Sequence, residues 1–399
     1  MVSRAGHLQL HHRSLFQPRE PAFWLFAVLL GYGALRMADV LSQLSAVSRS
    51  GWALSWLLLA IYALPVFVLI YRLDLYEREP VSLALGAFAW GALAATALSL
   101  DAAGWDQVVA QAFGAEFSAR WAPAITAPLI EETLKGAGIV LIYLIARDEV
   151  DDVMDGFVYG ALCGLGFAVV EDVLYFMAAF GGTPAGVLEG FYVRVLSSGL
   201  YGHVLYTGLV GMAIGYVVTR REQVPLARRL LVAAGLCAVA VGAHALWNSP
   251  MLDLMPAEPI EGAEWLMVPV AFAAKGLPLL LLVAIAVRLA HGRERRWLDA
   301  ALADEVDLEG ISSDELVALR TPARRRAAVR AMHARAGRRA ADLLRRLQRE
   351  QINLAMLATR VATPHDPALL AQRDHCRSLR DALVAMPGAA PAAPANPGG

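Results

Sequence analysis

The sequence has 399 residues, of which 57% are hydrophobic, with a mean hydropathy of +0.49 and a formal net charge of −1. Soluble domains average roughly 45–50% apolar residues, so this composition excludes an ordinary soluble protein, and the neutral charge gives no indication of a nucleic-acid partner. The three cysteines form no CxxC pair, which excludes a disulfide framework and a thiolate metal site.

Eight apolar blocks predict eight transmembrane helices, because each is long enough to cross about 30 Å of hydrocarbon. Transmembrane strands would be about ten residues of alternating polarity, so we expect an all-α polytopic membrane protein. The N-terminus has no clear cleavable signal, and the first block is expected to be retained as a helix. The predicted spans are 22–46, 53–72, 82–102, 121–146, 155–180, 192–218, 229–249 and 264–290.

Basic residues near the span ends predict the orientation. With the N-terminus inside, fourteen arginines lie on the inner side and three on the outer side, Arg49, Arg120 and Arg194. Both termini are therefore expected to be cytoplasmic, in a multi-pass protein of the cell membrane. The inner arginines are Arg4, Arg13, Arg19, Arg72, Arg78, Arg147, Arg220, Arg221, Arg228, Arg229, Arg288, Arg293, Arg295 and Arg296.

Composition divides the chain into four regions. A cytoplasmic segment, 1–21, precedes a transmembrane domain, 22–290, whose motifs lie within 120–250. A charged helical region, 291–386, is predicted to be cytoplasmic, and 387–399 is Pro/Ala/Gly-rich and expected to be disordered. In the charged region, Leu343, Leu347, Leu354 and Leu357 recur at near-helical spacing, which predicts one or two amphipathic helices. These helices form either a solvated hairpin or a basic face for anionic lipid or a cytoplasmic partner.

Ionisable residues inside a membrane are costly and usually line a functional cavity. The predicted spans contain the groups Glu131/Glu132/Lys135, Glu171/Asp172, His203, His244 and Asn248. Pairs four residues apart, such as Glu131 with Lys135 and His244 with Asn248, share a helix face. At 1.5 Å per residue, Glu131, Glu171, His203 and His244 all fall roughly 8–17 Å below the outer boundary. We therefore expect four spans to bring acids and imidazoles into one outer-leaflet layer.

Each of these groups also has a purely structural interpretation. Glu131 and Lys135 could form an internal ion pair, His203 could be a hydrogen-bonded interior residue, and Glu171 could extend toward the interface. His244 with Asn248 could link helices. The GxxxG stripes, Gly156/Gly160/Gly164 and Gly211/Gly215, indicate close helix packing only. The convergence at one depth favours the functional interpretation.

Paired carboxylates, two histidines and an amide are suited to hydrolysis by an activated water. Glu131 or Glu132 would be the general base, and His203, His244 and Glu171 could hold a metal, because His₂Glu is a catalytic zinc set. Without a metal, His203 would orient the water while His244 and Asn248 stabilise the oxyanion. HExxH and GxSxG are absent from the sequence. A proton-coupled transporter and a non-catalytic membrane scaffold are the alternatives.

The ordered motifs 131-EETLK-135, 166-GFAVVED-172, 203-HVLYT-207 and 244-HALWN-248 resemble those of the PrsW family of intramembrane proteases, distant relatives of the CAAX-processing and Abi membrane proteases. The segments 74-DLYEREP-80 and 88-FAWGALAA-95 are also similar, and the resemblance covers roughly 60–250. Asp172 departs from the asparagine more often expected there.

The resemblance implies an endopeptidase that cuts membrane-anchored proteins near the outer face, with an anti-sigma factor as the substrate and a role in signalling. It implies that Glu131, Glu132, His203, His244 and Asn248 are catalytic positions and that Lys135 and Glu171 are further motif residues. The family is usually labelled metalloprotease, whereas the related CAAX proteases are regarded as glutamate-dependent enzymes without a catalytic metal. Zinc as a cofactor is therefore left open at this stage.

Overall fold

A computed structural model describes residues 14–76, 78–102, 104–196, 202–250, 264–308, 310–361 and 363–389. The contact pattern separates residues 12–288, here called the membrane unit, from residues 289–399, here called the tail unit. Most of the predicted N-terminal segment, including Arg4 and Arg13, and most of the predicted disordered tail lie outside the described residues.

The described residues form helices and no strands. A π-helical stretch, Trp90–Ala95, joins α3 to α4, a second one spans Tyr192–Leu196, and a 3₁₀ turn spans Arg147–Glu149. The helices are α1 Pro21–Ser45, α2 Arg49–Tyr71, α3 Val81–Ala89, α4 Thr96–Asp101, α5 Trp105–Phe113, α6 Ala115–Ile145, α7 Val153–Ala178, α8 Pro184–Phe191, α9 His203–Thr219, α10 Leu226–Asn248, α11 Glu264–Asp307, α12 Ser313–Leu319, α13 Pro322–Arg360 and α14 Pro367–Val384.

Six helical segments of the described chain are long and apolar enough to cross a membrane. This confirms the predicted all-α polytopic membrane protein, because an unbroken helix satisfies its own backbone hydrogen bonds in lipid. The exact number of spans stays a prediction. The six segments are Pro21–Ser45, Arg49–Tyr71, Val81–Asp101, Val153–Ala178, Leu226–Asn248 and Gly276–Val306.

The two remaining predicted spans have different outcomes. The span 121–146 lies within α6, a helix of 31 residues that carries Glu131, Glu132 and Lys135 in its buried face. The span 192–218 is not one continuous helix, and that prediction is wrong. Gly202 has φ = 147°, a conformation that favours glycine and cannot continue a helix, so α9 begins anew at His203 and has 17 residues.

Helix α7 is the central helix of the membrane unit, with 94% of its apolar window buried. Its glycine stripe lies directly on the backbone of α9, as the GxxxG pattern predicts. A Cβ atom at Gly160 would lie 2.2 Å from the Thr207 carbonyl oxygen, and one at Gly164 would lie 2.1 Å from that of His203. Only glycine permits this approach, which brings the first turn of α9 against the middle of α7.

Helix α6 is fixed on its other side by Trp90 from the π-helical stretch. The Trp90 indole is 1% exposed and donates from Nε1 to the Leu134 carbonyl oxygen at 2.9 Å. A Cβ at Gly138 would lie 2.2 Å from the same ring. This contact sets the rotation of α6 about its axis, and therefore the direction in which Glu131, Glu132 and Lys135 point.

The tail unit has its own core. The predicted leucine repeat lies in α13, where Leu347 and Leu354 are fully buried. Glu305 accepts two hydrogen bonds from Arg373, each of 2.7 Å, and both side chains are almost entirely buried. Cys376 is also buried, and this burial raises the pKa of its thiol to about 12.

Candidate active site

Three helices of the membrane unit bring their polar side chains to one place. Helix α6 supplies Glu131, Glu132 and Lys135, because residues three and four apart lie on one helix face. Helix α9 supplies His203 as its first residue, and α10 supplies His244 from its last turn and a half. Acids and imidazoles from three of the four predicted spans therefore lie within 4.8 Å of one another, and the depth of the group in the membrane stays a prediction.

Lys135 occupies the centre of this group and is fully buried. Its ammonium donates to Glu132 Oε1 at 2.9 Å and to Glu131 Oε2 at 3.2 Å, and lies 2.8 Å from His203 Nδ1. The Phe167 ring covers it at 3.7 Å, within cation–π distance. A buried charge must be paired, and Lys135 is paired with both glutamates at once.

The two adjacent glutamates have different surroundings. Both carboxylate oxygens of Glu132 are engaged: Oε2 accepts from the Thr207 hydroxyl at 2.8 Å, and Oε1 bonds Lys135 and His244 Nδ1, the latter at 3.2 Å. Among the described residues, Glu131 accepts one hydrogen bond, at Oε2 from Lys135. The Glu131 side chain is 10% exposed, against 2% for Glu132. Glu131 is thus the carboxylate with spare acceptor capacity.

Aromatic rings enclose the two imidazoles. The Tyr206 ring stacks on His244 with centroids 4.9 Å apart and planes 11° apart. The Phe167 ring lies 4.9 Å from His203, and the two imidazoles are also 4.9 Å apart, edge to face. These contacts restrict both rings and keep the surroundings of the carboxylates apolar.

The hydrogen bonds of His203 indicate its tautomer. A lysine ammonium has only donors, so His203 Nδ1 accepts from Lys135 and the ring proton is on Nε2. That proton is donated to Glu171 Oε2 at 3.0 Å. The same oxygen accepts from Arg194 Nη2 at 2.7 Å. His203 is therefore held between the central group and a carboxylate behind it.

Asn248 lies one turn beyond His244 but outside this group. Its amide Nδ2 donates to the Pro123 carbonyl oxygen at 3.2 Å, two turns before Glu131 on α6. Helices α6 and α10 run antiparallel, so Asn248 lies further along the same contact. Its predicted catalytic role stays a prediction.

Four side chains could hold a metal ion together: Glu131, Glu132, His203 and His244, whose ligand atoms all lie within 4.8 Å of one another. Imidazole and carboxylate are zinc ligands, so the donor set fits the chemistry of a metalloprotease once the Lys135 ammonium, which lies within 3.2 Å of three of the four residues, moves aside. Glu171, which the sequence analysis grouped with the histidines as a ligand, lies outside the four and bonds the far nitrogen of His203.

The charges around the site also suit a divalent cation. Four carboxylates, those of Glu131, Glu132, Glu171 and Asp172, are mostly buried, and they face two cations, Lys135 and Arg194. With both histidines neutral, two negative charges are left over. Buried uncompensated charge is costly, so a divalent ion among the four ligands would balance the site.

Several contact residues were not assigned by the sequence. Thr207 appeared only as the last residue of the motif 203-HVLYT-207, and Arg194 only as an outer-side charge. Phe167 and Tyr206 lie inside the quoted motifs 166-GFAVVED-172 and 203-HVLYT-207, but the sequence assigned no role to either ring. A buried arginine partner for the adjacent acids Glu171 and Asp172 could have been sought from charge balance alone.

Comparison with known proteins relates the chain to a family of membrane proteases. Residues 79–275 match the family model described as PrsW family intramembrane metalloprotease. The chain is similar to Protease PrsW of Geobacillus kaustophilus strain HTA426, with 35% identity over 108 residues, which are 27% of this chain and 45% of that relative. The match thus spans less than half of the relative's length. No solved structure matches the chain.

Proposed function

Because residues 79–275 belong to the PrsW family of intramembrane metalloproteases, we propose that this chain is an intramembrane endopeptidase that hydrolyses peptide bonds of membrane-anchored proteins. The observation that carries the proposal is the contrast between the two glutamates. Among the described residues, one carboxylate oxygen of Glu131 has no hydrogen-bond partner and lies beside two imidazoles, while Glu132 is held by Lys135, Thr207 and His244. One carboxylate is available for chemistry and the other organises the site.

Glu131 is the general base in this proposal. It takes a proton from a water molecule, whose oxygen attacks the carbonyl carbon of the scissile peptide bond. When the carbon–nitrogen bond breaks, the proton held by Glu131 passes to the leaving amine. Glu132 is held ionised by Lys135, whose ammonium lies 2.9 Å from its Oε1.

The developing negative charge on the carbonyl oxygen needs donors. His244 borders the central group, and Asn248 lies one turn along the same helix. For Asn248 to serve, its amide exchanges the Pro123 carbonyl for the carbonyl oxygen of the substrate.

The proposed cofactor is zinc, held by Glu132, His203 and His244 of the four candidate ligands, which leaves Glu131 as the base. When bound, zinc lowers the pKa of a water molecule and polarises a carbonyl group. The two unbalanced negative charges of the site support a divalent ion.

The proposed substrates are single-span membrane proteins cut near the outer face, with an anti-sigma factor as one candidate and release of a signal as the result. The predicted depth of Glu131 and the asymmetry of the arginines support this side of the membrane.

Glu131→Gln tests the proposal, because glutamine keeps the shape of the side chain but cannot accept a proton. The membrane proteome of cells with wild type or Glu131→Gln, at matched abundance, is mapped for new peptide ends. Glu116→Gln is the matched control, since Glu116 is an exposed residue in the first turn of the same helix.

Defined fragments that disappear in Glu131→Gln but persist in Glu116→Gln would identify the substrates and the cleavage sites. Identical peptide ends in all three strains, under several stress conditions, would refute catalysis and favour a scaffold. Unchanged fragments with loss of ion flux in Glu131→Gln would favour the transporter.

A further inference from the structure

Arg194 bridges two acids of helix α7. Its Nη2 donates to Glu171 Oε2 at 2.7 Å and its Nε donates to Asp172 Oδ1 at 2.6 Å. The guanidinium also lies over the Tyr175 ring at 3.8 Å. Arg194 comes from the π-helical stretch Tyr192–Leu196, so these contacts join that stretch to α7. Three contacts on one planar group fix its orientation closely.

The oxygen that Arg194 holds is the one that binds His203. Glu171 Oε2 accepts from both Arg194 Nη2 and His203 Nε2, the latter at 3.0 Å. His203 is the first residue of α9, directly after the turn at Gly202, and its two ring nitrogens contact the Lys135 ammonium on one side and this carboxylate on the other. The position of the His203 ring therefore depends on the carboxylate behind it.

Asp172 gives Arg194 a second anchor. Its side chain is 8% exposed, and its charge needs compensation that Arg194 supplies. Because the bond to Asp172 fixes the Arg194 guanidinium, a rotation of the Glu171 side chain would break its bond to Arg194. The pair Asp172–Arg194 thus restricts Glu171 to the rotamer that reaches His203.

We propose that Arg194 is a positioning residue of the active site: anchored by Asp172, it holds Glu171 against His203 Nε2, so that His203 Nδ1 faces Glu131, Glu132 and Lys135. The chain of contacts runs from Arg194 through Glu171 to His203 and the central group. The consequence for rate rests on the proposed peptidase function, whereas the consequence for the His203 ring does not.

The main test variant is the double substitution Arg194→Gln with Asp172→Asn. It removes one positive and one negative charge together, so the buried charge balance is kept and folding is preserved better than in Arg194→Gln alone. Arg194→Lys keeps the charge without the two-pronged geometry. Arg120→Gln is the control, because Arg120 is an exposed arginine predicted on the same side of the membrane.

The first readout needs no activity. Purified proteins are treated with diethyl pyrocarbonate, and modification of each histidine is measured by mass spectrometry. We expect several-fold faster modification of His203 in the double variant, a smaller increase in Arg194→Lys, and none in Arg120→Gln. His244 serves as the internal control, because its hydrogen bond with Glu132 and its stacking on Tyr206 do not involve Glu171 or Arg194.

The second readout is hydrolysis of a substrate identified by the Glu131→Gln comparison. A displaced His203 should lower kcat about 10–100-fold, as loss of a carboxylate behind an active-site histidine does, with KM nearly unchanged and partial rescue in Arg194→Lys.

Wild-type protection of His203 in the double variant would overturn the positioning role, whatever the rate. A lower kcat with His203 still protected would likewise overturn it, because Arg194 would then act by another route. If the wild type cleaves no substrate, the peptidase proposal fails, and the histidine footprint still decides the role of Arg194.

Discussion

The Thr207 hydroxyl donates to Glu132 Oε2 at 2.8 Å, across the contact between α9 and α6. Thr207 is fully buried, and a Cβ at Gly160 would lie 2.2 Å from its carbonyl oxygen. The glycine stripe of α7 therefore sets the height of the hydroxyl that fixes Glu132. Thr207 therefore links the packing of α9 on α7 to the position of the Glu132 carboxylate.

Thr207→Val should reduce cleavage about tenfold or more, because a hydrogen bond to a charged group contributes roughly 1.5–3 kcal/mol. The cleavage rate is measured as the rate of fragment formation in reconstituted membranes. Thr219→Val is the matched control, since the Thr219 hydroxyl bonds the Gly215 carbonyl at the far end of the same helix. Equal rates in the two variants would show that Glu132 does not need this donor.

Gly164→Ala should displace the first turn of α9, because the added Cβ would lie 2.1 Å from the His203 carbonyl oxygen. We expect loss of most cleavage activity and a lower temperature of unfolding. Circular dichroism in detergent measures the unfolding temperature. The control is Gly235→Ala on α10, where a Cβ meets nothing within 4 Å; it should stabilise its helix by up to about 1 kcal/mol. A Gly164→Ala protein with wild-type stability and rate would contradict this helix packing.

Metal analysis tests the proposed cofactor. Purified wild type should contain zinc, and His203→Ala and His244→Ala should lose it, because each removes one of the three proposed ligands. Inductively coupled plasma mass spectrometry gives the stoichiometry, and His333→Ala, at an exposed position of the tail unit, is the control. Cleavage that continues in metal-free wild type would refute zinc and leave Glu131 as a base without a metal.

Cysteine labelling tests the predicted orientation. An Ala334→Cys substitution lies at an exposed site of the tail unit, and Ala46→Cys lies at an exposed site between α1 and α2. A membrane-impermeant maleimide added to intact cells should label Ala46→Cys and not Ala334→Cys, because the arginine bias puts the tail inside. The reverse pattern would overturn the topology. Unmodified wild type gives the background from Cys163, Cys237 and Cys376.

The buried pair Glu305–Arg373 should hold the tail unit together. Arg373→Met leaves Glu305 buried without its partner, which typically costs about 3–5 kcal/mol. Cys376 is a natural reporter: with a pKa of about 12 it has almost no thiolate at pH 8 while buried, and opening of the unit would lower the pKa and expose it. We expect rapid labelling of Cys376 in Arg373→Met, located by mass spectrometry. Slow labelling, as in wild type, would show that the pair is dispensable.

The sequence determined the class of this protein and the identities of the residues that meet at the site. Apolar length and the cost of charge in lipid are properties of the chain in one dimension, so the helical spans and the unusual polar residues could be predicted. The family resemblance rests on the same residues, from Glu131 on one helix to His244 on another. The break before His203 was missed, because it depends on a single glycine conformation at Gly202.

Only the tertiary structure decided which contacts each of those residues makes, and therefore which role each can have. Helix rotation and separation decide three features of the site. Both oxygens of Glu132 are hydrogen-bonded, whereas Glu131 accepts one bond, from Lys135. Glu171 bonds the far nitrogen of His203, and Arg194 holds Glu171. Rotation is set by contacts such as Trp90 against α6, and separation by glycine against backbone between α7 and α9. Hydropathy carries no information about either, because side-chain partners many residues apart are chosen by packing in three dimensions.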